Sequence, residues 1–165
     1  MRRIATSISA ALTVLAFTSA VAFAAVTWKA GPSVTFNGTS SVTATGEASG
    51  LGNQPAIATL EVEGTVTYTC RNKGGGEAPG QNPVPATGTG TQDLGNSDHN
   101  GRGVLSITVT LDPPAPVVSG KVAGCPNGNW QGVNPVSSGI TAATLTIEQG
   151  GKVIYGPAEF DNPNN

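Results

Sequence analysis

Residues 57 to 70 alternate strictly. Ala58, Leu60, Val62, Val66, Tyr68 and Cys70 share one parity; Thr59, Glu61, Glu63, Thr65, Thr67 and Thr69 share the other. Side chains of an extended chain flip with period two, so the pattern specifies a strand with one buried and one wet face. A helix would scatter these apolar positions around its circumference. The Thr and Val content also favours sheet. Gly64 interrupts the run and marks a bulge or bend.

The same period recurs downstream. Over 104 to 111, Leu105, Ile107, Val109 and Leu111 point one way and Ser106, Thr108 and Thr110 the other. Over 140 to 148, Ala143, Leu145 and Ile147 point inward, and Gly150-Gly151 turns the chain into a partner strand at 152 to 155. Weaker strands are expected at 33 to 36, 42 to 47, 84 to 91 and 117 to 123. No amphipathic helix of useful length follows residue 24. About eight short strands with Gly, Pro and Asn punctuation predict an all-β fold, a two-layer antiparallel sandwich of immunoglobulin-like architecture. Its core is expected to hold Leu60, Val62, Val66, Tyr68, Leu105, Ile107, Val109, Leu145 and Ile147. Two long connections stand out: 71 to 83, with Gly74-Gly75-Gly76, and the stiff Pro113-Pro114-Ala115-Pro116. There is no internal repeat, and 25 to 165 is expected to form a single domain.

The first 24 residues have a different character. Arg2 and Arg3 precede an apolar run through Leu12, Val14, Leu15 and Phe17, and Ala22-Phe23-Ala24 follows. This is the layout of a secretory signal peptide over 1 to 24, too short and too interrupted by Ser and Thr to span a bilayer. The mature chain is therefore expected to be secreted or extracellular, with cell-envelope association as a variant, and to lack a transmembrane segment. Losing Arg2 and Arg3 takes the formal charge from −2 to −4. Scattered, mildly acidic charge gives no footprint for nucleic acid.

Cys70 and Cys125 are the two thiols. In an oxidising compartment they read as one disulfide; a metal pair or two free thiols are the alternatives, and two Cys with no nearby His do not fill a zinc site. Tyr68-Thr69-Cys70 places a Tyr two residues before a Cys, as in the immunoglobulin tyrosine corner, but at the first Cys and without the expected Trp. Four segments are more telling: Gly50-Leu51-Gly52-Asn53, Cys70-Arg71-Asn72-Lys73-Gly74-Gly75, Pro79-Gly80-Gln81-Asn82-Pro83 and Cys125-Pro126-Asn127-Gly128-Asn129-Trp130. In order and spacing the chain resembles a group of small exported bacterial proteins with one disulfide and no established activity. The resemblance implies a secreted β-protein and supplies no catalytic residues.

Candidate chemistry is sparse. Asn96, Asp98 and Asn100 alternate before Gly101, like the opening of a calcium loop, but Ile107 stands where a bidentate Glu belongs. An Asn/Asp/Gly turn leading into the 104 to 111 strand is the favoured reading. His99 is the single histidine, and no Gly-x-Ser-x-Gly elbow accompanies it. Glu61 and Glu63 share a strand face at roughly 7 Å, a spacing compatible with glycoside hydrolysis, though the face is Thr-lined and wet. Trp28, Trp130 and Phe160 serve either the core or a stacking surface. The expected function is thus a non-catalytic, cofactor-free exported sandwich, a monomer that binds a protein or carbohydrate or supports the envelope. The rival is a secreted carbohydrate-active hydrolase using Glu61 and Glu63.

Overall fold

The computed structural model describes residues 26–52, 54–95 and 101–164. Nine strands and one helical turn follow in order: β1 (Thr27–Asn37), β2 (Ser41–Ser49), β3 (Ala56–Arg71), β4 (Glu77–Pro79), β5 (Val84–Asp93), β6 (Gly103–Thr110), β7 (Val117–Ser119), α1 (Gly120–Ala123), β8 (Gln131–Gln149) and β9 (Lys152–Asp161). They form two antiparallel sheets. The smaller has the order β1-β2-β6; the larger is built on the long pair β3-β8. β5 and β9 flank that pair at one end, and β4 and β7 flank it at the other. The long pair therefore runs past the sandwich into a separate tip.

The sandwich core is the set the alternation selects. Leu60, Val62, Val66 and Tyr68 of β3, Leu105, Ile107 and Val109 of β6, and Leu145 and Ile147 of β8 are all buried. Val42 and Ala44 of β2 complete the facing layer. Every even residue from 58 to 70 except Gly64 is buried. At Gly64 the register slips by one, the extra residue being Thr141 of β8. A Cβ on Gly64 would collide with the Gly139 carbonyl oxygen, so the bare glycine is what lets the bulged strand close in.

One flank of the sandwich is shut. β5 reads Thr87-Gly88-Thr89-Gly90-Thr91, with each Thr outward. A Cβ on Gly88 would strike the Thr110 carbonyl oxygen, so β6 can lie close over β5. Gln92 then stitches the two edges, donating to the Val104 carbonyl at 3.0 Å and accepting from the Ser106 N–H at 2.8 Å. The other flank, between β1 and β9, stays open. Trp28 meets Tyr155 edge-on at 5.1 Å, and burial raises the Tyr155 phenol pKa above its usual value. Pro32 and Pro157 sit in these two edge strands, where a missing N–H blunts further strand pairing.

The structure corrects several sequence boundaries. Residues 117 to 123 are not one strand: β7 stops at Ser119, which caps a single helical turn through its hydroxyl, and Gly124 ends that turn at φ 68°. β8 begins at Gln131, nine residues before the expected start, because it pairs with the distal half of β3. β9 continues to Asp161 and β1 begins at Thr27. The connection 71 to 83 contains the short strand β4, which brings the strands to nine.

Candidate functional site

The tip is where irregular backbone is held most firmly. Cys70 and Cys125 are disulfide-bonded, with Cα atoms 5.6 Å apart and a sequence separation of 55. Cys70 lies near the end of β3 and Cys125 just after α1, so the bridge ties the larger sheet to its own distal connection. The Tyr68 hydroxyl donates to the Ala115 carbonyl at 2.7 Å, latching the proline connector 47 residues downstream. An immunoglobulin bridge joins the two sheets, and a tyrosine corner bonds a few residues upstream; neither matches its counterpart here.

Each Cys is followed by an asparagine turn. Asn72 Oδ1 accepts from the Gly74 and Gly76 N–H groups at 2.9 and 2.8 Å. Asn127 Oδ1 accepts from the Asn129 N–H at 3.0 Å. Side-chain carbonyls that mimic a backbone turn in this way fix a loop without secondary structure. Arg71 closes the first loop through Glu77, with Nε and Nη2 at 2.8 and 2.6 Å from the same carboxylate oxygen. Asn82 braces the tip from below, donating from Nδ2 to the Lys121 and Val122 carbonyls at the end of α1.

The two loops face each other across an open groove of about 320 Å³. Arg71, Asn72 and Lys73 form one wall; Asn129, Trp130 and Gln131 form the other. Trp130 packs on the core and still lines the groove. Lys73 has no acidic partner among the described residues. The tip holds Arg71, Lys73 and Lys121 against Glu77 alone, within a chain of acidic balance. The acids gather elsewhere. Strand register puts Glu61, Glu63, Asp93, Glu148, Glu159 and Asp161 on the outer face of the larger sheet.

The other sequence candidates are dispersed. Glu61 and Glu63 are exposed on that flat face, in register with Thr89 and Thr144 and with Thr87 and Ala142, and neither lines the tip groove. Trp28 and Phe160 are half-buried at the open β1/β9 flank. The calcium candidates Asn96, Asp98 and Asn100, with His99, lie outside the described residues, as does the segment 1 to 24 expected to be a signal peptide. Among the described residues, no group of three or more His, Cys, Asp or Glu side chains is placed to hold a metal ion, and no helix is long and apolar enough to cross a membrane. Sequence reading had not joined Asn72, Lys73, Asn127 and Asn129 into one site. The signal was present, because a Cys70–Cys125 bridge sets two Asn-rich turns side by side. No family model, curated protein or solved structure matches this chain.

Proposed function

We propose that the protein is an exported, non-catalytic binding module that acts as a monomer outside the cytoplasm and engages a carbohydrate ligand through its stapled tip. The observation that carries this reading is the groove between the Asn72 and Asn127 turns. It presents a tryptophan, amides and cations on loops already fixed by a disulfide and by side-chain hydrogen bonds. Pre-ordered loops lose little entropy on binding, which is how a shallow site gains useful affinity. Loops at the end of a rigid β-scaffold are also where such folds place recognition. The segments that carry the resemblance to small exported bacterial proteins build most of this tip. The hydrolase reading has less support. Glu61 and Glu63 stand on an open, Thr-lined face with nothing around them to exclude water or orient a substrate.

The test is a polysaccharide retention panel with the disulfide-bonded protein, run beside a hydrolase panel on the same sample. The expected result is retention without turnover, lost in Trp130→Ala and kept in Glu63→Gln. Turnover that disappears in a folded Glu63→Gln variant would replace the binding module with the hydrolase.

A further inference from the structure

Resting on the reading of the tip as a glycan-binding site, we propose that its ligand is an acidic glycan, recognised through sugar carboxylates. Two cations, Arg71 and Lys73, line the groove beside amide side chains and Trp130. Asn72 Oδ1 is used by two backbone N–H groups and Asn127 Oδ1 by one. Because backbone N–H can only donate, these bonds commit each Oδ1 as an acceptor and leave both Nδ2 groups as donors. Lys73 adds an ammonium, which is donor only, and Arg71 keeps the guanidinium N–H groups that Glu77 does not take. Asn129 and Gln131 can each present a carbonyl oxygen as well as an amide donor, so the bias of the groove lies in charge: two cations line it and no carboxylate does. A neutral sugar hydroxyl must both give and receive, whereas a carboxylate only accepts and forms the stronger, charge-assisted bonds. Glu77 already shows that a carboxylate seats on Arg71 at 2.6 Å.

Two further features favour a sugar over an acidic peptide. Trp130 gives the groove a flat apolar surface suited to the C–H face of a pyranose ring. The rest of the lining is Asn, Gln and Gly with a single Val133, so a peptide would find no deep apolar pocket for an anchoring side chain. The acids of the outer face do not oppose the match. Glu63, the nearest of those on β3, precedes Arg71 by eight strand positions, roughly 26 Å at ~3.3 Å per residue. Screening acts over about 8 Å at physiological salt. A polyanion approaching the tip meets Arg71, Lys73 and Lys121 first.

The experiment measures binding of the disulfide-bonded protein to polygalacturonate, alginate and hyaluronate. Each is compared with its carboxyl-esterified form, with polyglutamate as the peptide control. The expected result is binding to at least one acidic polysaccharide that falls tenfold or more on esterification and weakens between 50 and 300 mM salt. Lys73→Gln should reduce it about fivefold with no change in melting temperature, since Lys73 is exposed; Trp130→Ala should abolish it. Equal binding to acid and ester forms, still lost in Trp130→Ala, would overturn the carboxylate inference and leave the tip as a glycan site. Polyglutamate binding as tightly as the glycans would overturn the sugar. Polysaccharide binding that survives both tip variants, or none to any polysaccharide, would overturn the proposed function itself.

Discussion

Among the described residues, Gln149 is the one buried polar side chain of the core, 5% exposed. Its amide holds the turn between β2 and β3. Oε1 accepts from the Gly52 N–H at 3.1 Å, and Nε2 donates to the Gly52 and Gln54 carbonyls at 3.3 and 2.6 Å. Replacing it with leucine keeps the volume and strands those partners, so Gln149→Leu should cost about 1–3 kcal/mol in chemical denaturation. A loss below a few tenths of a kcal/mol would show that the turn is held by something else. At this scale the apolar residues were legible, because burial of Leu60 or Ile147 follows from parity alone. Gln149 follows from the same parity, two residues past Ile147, but a polar residue at a strand end reads as the start of a turn. Only its partners reveal that it belongs inside.

At the scale of elements, β5 is a strand shaped by what it lacks. Its inward glycines leave room for the β6 backbone, so Gly88→Ala must push the sheets apart or bend a strand. The expected cost is about 1–3 kcal/mol. Gly139→Ala is the control: a Cβ there meets nothing within 4 Å, and its melting temperature should stay near that of the parent. If the two variants melt alike, the close approach of β5 and β6 does not set the sandwich spacing. The strong strands were legible as alternation. The first half of β8 was not, because Val133, Pro135, Ser137 and Gly139 carry no apolar rhythm; backbone pairing with β3 holds that stretch in the sheet, with a break at Asn134, φ 50°. α1 was missed for a different reason. One turn is too short to show helical period, and its signals were only the flanking Ser119 and Gly124. β4 is similarly brief and exists because the Asn72 turn folds Glu77 back onto Arg71.

The whole molecule divides into a sandwich that supplies stability and a stapled tip that extends from it. A bridge spanning 55 residues contributes about 4 kcal/mol in the chain-entropy account. Reduction, or the double variant Cys70→Ala/Cys125→Ala, should lower stability by an amount of that order. The circular dichroism should stay that of a β-protein, because most of the core lies in the sandwich, with only Tyr68, Cys70 and Ala123 reaching into the tip. The pairing was legible from two thiols and a leader-like start; the groove was not, since its walls come from segments 55 residues apart that the β3–β8 pairing and the bridge bring together. In the proposed function, recognition resides at this tip and the carboxylate face takes no part. A nitrogen-15 chemical-shift map of the disulfide-bonded protein, with and without the polysaccharide it retains, tests this. Shifts are expected only at residues 71 to 76 and 127 to 133, with 57 to 63 and 85 to 93 unmoved. Shifts centred on Glu61 and Glu63, or cleavage of the polysaccharide during the titration, would contradict it.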